Sequence, residues 1–215
     1  MSEYHKINTI FKRDLRGNIM HGDYSLPVFE YLKDNEWVFT EKVDGTNIRV
    51  IWEPSQSIPL RYGGRTDNAS IPVFLLDRLN DIFMASHAVG VLGAKFKDGV
   101  CLYGEGYGAK IQKGGGNYKA DGQDFVLFDV KIGHWWLERQ DVEEIAASLG
   151  IDVVPIRLRG TLAAACDMVR DGHDSAWGRF TAEGLVGRPA VEIKTRNGDR
   201  VITKIKHRDF AKVSK

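Results

Sequence analysis

An α+β fold built on antiparallel sheets is what this sequence predicts, and three observations carry the expectation. Short runs rich in β-branched and aromatic residues recur near 37–42, 47–52, 59–65, 100–105, 124–131, 151–157, 183–187, 190–196 and 200–206. Stretches with helical spacing are few, so strands do not alternate with helices in the way a parallel sheet requires. Turn residues between neighbouring runs, Asp44-Gly45 first among them, favour direct reversals.

Each element has a local reason. Trp37 to Thr40 and Ile48 to Trp52 flank Asp44-Gly45, which predicts a hairpin with Lys42 at its mouth. Ile71, Leu75, Leu79, Ile82 and Phe83 keep helical spacing over 71–85, with Ser70 and Pro72 suited to the start. In the strand near 124–131, Phe125 and Phe128 point to opposite faces, so one enters the core and the other is free to face a pocket. Asp141, followed at three residues by Glu144, approximates a capping box for a helix over 141–149 that Gly150 stops. Thr161 caps a further helix over 161–171, closed by Gly172. Near 200–206, alternation sets Lys204 and Lys206 on one face with Ile205 buried behind them.

The chain has 215 residues, 43% hydrophobic and 27% charged, which is enough apolar content for a core and predicts one domain over 1–215. No apolar run approaches the roughly 18 residues of a membrane span, and no signal-peptide pattern opens the chain. Cys101 and Cys166 give no disulfide framework; both read as small buried hydrophobes, and the cytoplasm is the expected location. A net charge of +1 excludes general basicity as a route to nucleic acid. The charge is uneven, however: residues 194–215 hold eight Lys or Arg against two Asp. A basic end on a mildly acidic body suits phosphate contact in one place.

Candidate chemistry gathers in a few short motifs. Residues 41–47, Glu-Lys-Val-Asp-Gly-Thr-Asn, present one amine, Lys42, from a tight turn. Asn47 is suited to bonding a ribose or a neighbouring backbone group, and Asp44 to holding an amine or a metal. Glu105 lies between glycines in Tyr103-Gly104-Glu105-Gly106, where a ligand can approach the backbone closely. Arg65 follows a Gly-Gly turn. Lys110 to Gly116 is a glycine-rich loop with two cations, suited to a phosphate. Whichever of Phe125 and Phe128 faces a pocket is able to stack on a base, and the other belongs to the core. Two ammonium groups side by side, Lys204 and Lys206, invite an anion between them. The histidines show no metal-ligand spacing, and neither a Walker loop nor a dinucleotide fingerprint is present.

The order and spacing of these motifs resemble the covalent nucleotidyltransferase superfamily of ATP-dependent ligases and mRNA capping enzymes, most of all the phage-type RNA ligase 2 family that seals nicks in duplex RNA. The resemblance runs from Lys42 to Lys206 and implies an adenylation domain of the nucleotidyltransferase, ATP-grasp-like type with peripheral helices. It implies that Lys42 becomes covalently adenylylated, with Lys204 and Lys206 acting on the phosphates. Glu41, Asn47, Arg65, Glu105 and Phe128 join the two last lysines in the nucleotide-binding set, and Glu183 and Asp44 are the implied metal residues. ATP with Mg²⁺ or Mn²⁺ is the implied cofactor pair, and RNA ends or nicked duplex RNA the implied partner. RNA ligases of this type usually carry a further C-terminal domain, whereas nine residues follow Lys206 here; a partner protein supplying that surface is one expectation. A small ATP-dependent DNA ligase, a capping-type guanylyltransferase and a non-catalytic nucleic-acid end-binding module are the competing readings.

Overall fold

The computed structural model describes residues 3–210. In chain order the elements are β1 (Asn8–Thr9), β2 (Phe11–Arg13), β3 (Ile19–Tyr24), α1 (Pro27–Tyr31), β4 (Trp37–Glu41), β5 (Thr46–Trp52) and β6 (Leu60–Gly63). Then come α2 (Val73–Phe83), α3 (Ser86–Lys95), β7 (Val100–Gly108), α4 (Gly115–Tyr118), β8 (Gln123–Ile132), β9 (Trp135–Trp136) and α5 (Arg139–Leu149). The chain continues with β10 (Asp152–Val153), β11 (Ile156–Gly160), α6 (Leu162–Asp171), β12 (Asp174–Ser175), β13 (Gly178–Thr181), β14 (Gly184–Pro189) and β15 (Thr203–Lys206). The described residues fold into two compact units: residues 3–5 with 44–154, and residues 6–43 with 155–210.

The first unit is a sheet in the order β10-β8-β7-β5-β6, with β9 beside β8. Its pairs are antiparallel apart from β10 with β8. Period-2 alternation sends Ile48, Val50 and Trp52 of β5 into one core with Leu75, Leu79 and Phe83 of α2 and Val142 and Ile145 of α5. Burying each such large side chain contributes about 1.5–3 kcal/mol. The opposite face of β5 therefore carries Asn47 and Arg49, which face Glu105 and Tyr103 across the ladder to β7.

The second unit is a sheet in the order β1-β15-β14-β4-β11. Here β1 runs parallel to β15 and the other pairs are antiparallel. Trp37 and Phe39 of β4, Leu185 of β14 and Ile205 of β15 share a core with Leu162, Ala165 and Val169 of α6. Thr161 caps α6 as expected, accepting from the Ala164 N–H at 3.2 Å.

Several expectations are corrected. The hairpin around Asp44-Gly45 does not form: β4 pairs with β14 and β11, and β5 with β6 and β7. A two-residue hairpin turn needs positive φ, which neither Asp44 nor Gly45 adopts. Gly45 serves close approach instead, since a Cβ there would strike Gly106 O and Glu105 Cγ. The capping box at Asp141 is also absent: α5 begins at Arg139 after Glu138, without a side-chain cap, although Gly150 ends it in the left-handed region at φ 68°. The run at 151–157 divides into β10 and β11 around Pro155, which cannot donate to a ladder.

Residues 190–196 form no strand. β14 ends at Pro189, Val191 is exposed, and the segment folds back on itself through the Lys194–Arg200 bridge and the Thr195 N–H bond to Asp199 O. Helix α3 escaped the sequence reading because Gly90 and Gly93 weaken its local preference; burial of Ala88 and Leu92 supplies what propensity lacks. Strands β1 to β3 and helix α1 were likewise not foreseen. Of the basic C-terminal stretch, residues 211–215 lie outside the described residues.

Candidate functional site

In the second unit, Lys42 follows the last residue of β4, and its backbone N–H still donates to Gly184 O at 2.9 Å. Strand β14 lies between β4 and β15, and its register sets Leu185 opposite Glu41 and Gly184 opposite Lys206. Lys42, Glu183 and Lys206 are thus brought to the same end of three adjacent strands. Lys42 Nζ donates to Glu183 Oε2 at 2.7 Å, and Lys206 Nζ donates to Glu183 Oε1 at 2.6 Å. Burial would raise the Glu183 carboxyl, but the Lys42 charge and the hydrogen bonds from Lys206 and Lys42 outweigh it and hold it below the usual carboxylate range. Lys204 is half-buried two residues before Lys206, and Ile205 between them is buried, as alternation predicts.

Beside these lysines the same unit contains a cavity of about 580 Å³. Lys6, Arg13, Lys204, Lys206 and Arg208 line it together with Asp209. Asp209 receives a hydrogen bond from Arg13 Nη2 at 2.7 Å, which leaves the lining with a cationic excess. Charge of one sign in a concave, partly desolvated space suits a polyanion.

Glu41 lies elsewhere in the same unit. Its side chain is fully buried, and its carboxylate accepts from Ser175 Oγ at 2.5 Å and from the Ala176 N–H at 2.8 Å. Both oxygens are therefore engaged by the protein.

In the first unit, Asn47 and Glu105 are directly opposed on β5 and β7. Asn47 Oδ1 is buried without a hydrogen-bond partner among the described residues. Such an atom costs about 1–3 kcal/mol and accommodates a donor from a bound ligand. Arg65 is exposed in the loop after β6. That loop is tied to the sheet by buried Arg49, whose Nε donates to Gly64 O at 2.8 Å and whose Nη2 donates to Asp67 Oδ1 at 2.7 Å. Phe125 enters the core while Phe128 stays half-buried, its ring edge-on to Tyr4 at 5.1 Å. Tyr4 in turn donates its hydroxyl to buried Asp129 at 2.6 Å. Asp44 donates its backbone N–H to the Tyr118 hydroxyl at 3.2 Å. The glycine-rich loop is seated by Gln112, which donates to Gly45 O at 3.2 Å, and it contains a left-handed non-glycine residue, Lys110.

Among the described residues no group of three or more His, Cys, Asp or Glu side chains could hold a metal. Glu183 already spends both oxygens on lysines, and Asp44 belongs to the other unit. Glu183 by itself suits a cation that keeps several waters, as Mg²⁺ does, better than a tightly held resident one.

Sequence reading missed Lys6 and Arg13 in the cavity, where Arg208 of the basic C-terminal stretch joins them, and Ser175 and Arg157 around Glu41. Single cations and a lone serine carry no pattern; long-range strand pairing alone makes them neighbours.

The RNA ligase family profile matches residues 35–206. Comparison with curated proteins gives no match. Among solved structures, a Naegleria gruberi RNA ligase with PPi is similar at TM-score 0.66 and 19% identity, covering 98% of this chain and 64% of that one. A variant of that ligase with AMP and Mn matches at TM-score 0.63 and 19% identity, over 93% and 60% of the two chains. A further variant, with ATP and Mn, matches at TM-score 0.64 and 18% identity, over 95% and 63%. The chain thus spans somewhat less than two thirds of the length of these structures, with which it shares the α+β fold.

Proposed function

The chain belongs to the RNA ligase family, and we propose that it is an ATP-dependent RNA ligase that joins a 3′-hydroxyl to a 5′-phosphate through a lysyl-AMP on Lys42. One observation carries the reading: Lys42 and Lys206 share the carboxylate of Glu183 beside a cationic cavity. Residues 1–215 would then work as one adenylation domain. The ATP, AMP and Mn present with the Naegleria ligase variants support the choice of ATP and a divalent cation.

In this reading the Lys42 ammonium, paired with Glu183 at rest, gives up a proton to solvent, and its Nζ then attacks the α-phosphorus of ATP. A nitrogen–phosphorus bond forms as the bond to pyrophosphate breaks. Lys204 and Lys206 neutralise charge on the phosphate oxygens, and the cavity that they line with Lys6 and Arg208 takes the rest of the polyphosphate. Glu183 holds the Lys42 amine in place before attack and is the carboxylate available to a water-bearing Mg²⁺. The cation, when bound, supplies charge neutralisation at the phosphates. In the first unit, Asn47 and Glu105 bind the ribose, Phe128 offers a ring to the adenine, and Arg65 offers a cation. A 5′-phosphate oxygen of RNA then displaces Lys42 from AMP, and a 3′-hydroxyl attacks the resulting 5′-phosphoanhydride and expels AMP.

The test is incubation of the full chain with each of the four nucleoside triphosphates and Mg²⁺, followed by peptide mass spectrometry. A mass gain of one AMP on Lys42, with ATP alone, is expected. Sealing of nicked RNA and nicked DNA is compared next, with RNA preferred. Grip on the polynucleotide made of phosphate contacts should lose sealing steeply between roughly 50 and 200 mM salt, while lysyl-AMP formation changes little. Labelling by GTP instead would favour a guanylyltransferase, and absence of any nucleotide adduct would favour an end-binding module.

A further inference from the structure

Glu41 was expected among the nucleotide ligands, yet its surroundings point elsewhere. The carboxylate is fully buried, and Ser175 Oγ and the Ala176 N–H, both in or next to the β12–β13 hairpin, donate to its two oxygens. Ser175 Oγ also accepts from the Trp177 N–H at 3.1 Å, so the serine joins the hairpin turn to the carboxylate. Arg157 of β11 completes the group: its Nε lies 3.8 Å from Glu41 Oε2, and its Nη2 donates to Asp174 O at 2.8 Å. The Glu41 N–H donates to Pro155 O at 3.0 Å, and the Lys42 N–H donates to Gly184 O on the other flank. A buried charge held by one cation, one hydroxyl and one backbone N–H is costly to disturb, because any partner removed leaves it under-solvated.

We propose that Glu41, Ser175 and Arg157 form a clip that fixes the backbone from which Lys42 leaves β4, making them positioning residues for that amine. The clip holds the residue immediately before Lys42 from three groups at once: Pro155 just before β11, Arg157 on β11, and the β12–β13 hairpin. The Lys42 side chain then has little freedom except its own rotamers, which the Glu183 ion pair selects. Catalysis by an amine needs this kind of placement, since a misplacement of about 1 Å costs on the order of a hundredfold in rate. The inference rests on Lys42 being the nucleophile.

Two readouts on the full chain separate the clip from that premise. In single-turnover adenylylation at saturating ATP, S175A and E41Q should lower the rate constant by about tenfold to a hundredfold. The apparent KM for ATP should stay within about twofold, because positioning the amine does not alter nucleotide grip. S175T, which keeps the hydroxyl, should recover most of the rate. Without ATP, acetylation of Lys42 by acetic anhydride, measured against Lys204 in the same peptide map, should change severalfold in S175A. A raised KM with an unchanged rate constant would make Glu41 a nucleotide ligand and overturn the clip. Wild-type rates and wild-type acetylation in folded S175A would overturn it as well. Absence of AMP on Lys42 in the wild type would sink the proposed function instead, and the acetylation ratio would still decide the clip.

Discussion

Around Lys42 charged side chains bond to one another, whereas around Asn47 the backbone ladder does the placing. Lys42, Glu183 and Lys206 form a closed ion-paired set at the ends of β4, β14 and β15. Asn47 and Glu105 are set opposite each other by the β5–β7 register, and Asn47 Oδ1 has no partner among the described residues. The difference teaches that a preorganised site can be satisfied or unsatisfied before a ligand arrives. A satisfied set holds its geometry at little cost and must be broken into by the ligand. An unsatisfied atom such as Asn47 Oδ1 carries a standing desolvation cost that binding relieves.

The sharpest way to break the comparison is Lys42→Ala. It should abolish AMP attachment, while circular dichroism and the melting curve stay close to wild type, since one half-buried Lys contributes little to a core. An adduct that persists in this variant would move the nucleophile elsewhere. Next in size, Lys204→Ala and Lys206→Ala should each slow adenylylation by about two orders of magnitude, the usual loss when a charge-stabilising donor is removed. Near wild-type rates in both would reduce the pair to a solvated edge.

Stability separates the two regions further. Glu183→Ala leaves two ammonium groups facing each other and should destabilise the protein by about 1–3 kcal/mol. Asn47→Ala removes a buried polar atom without a partner and should be neutral or slightly stabilising, while raising KM for ATP. Urea denaturation of the two variants beside the wild type measures both. If Asn47→Ala destabilises as much as Glu183→Ala, the distinction between satisfied and unsatisfied groups fails.

The smallest effect is on pH. The Glu183 carboxyl is held below its ordinary value, so the folded state binds its proton less readily than the unfolded chain does. Its contribution is therefore complete above the unfolded value of about 4.3 and is lost as pH falls through the lower folded value. The gap in melting temperature between wild type and Glu183→Gln should be constant above about pH 5 and shrink as the solution is acidified below the unfolded value. A gap that widens with acid would contradict the sign.

Much of the site was legible because its residues sit in local patterns. Lys204 and Lys206 needed only period-2 alternation, and buried Ile205 between them agrees. Phe125 and Phe128 were separated by the same rule, one in the core and one half-buried. Thr161 and Gly150 marked helix ends through side-chain and φ preferences that act within a few residues. What local pattern predicted wrongly was pairing: Asp44-Gly45 looked like a hairpin turn, but the flanking strands found better partners far away in sequence.

By itself the sequence determined the α+β class, the strand faces, the caps of α6 and the end of α5, and the motif order from Lys42 to Lys206. These follow from forces that act over one turn or one pleat. Only the tertiary structure decided that β4 lies between β11 and β14, that Glu183 bridges two lysines, that Glu41 is clipped by Ser175 rather than left open, and that Lys6, Arg13 and Arg208 share one cavity. The physical reason is common to all four. Each depends on which distant strands hydrogen-bond, and that choice is made by the burial of whole faces rather than by the preference of any residue for its neighbours in the chain.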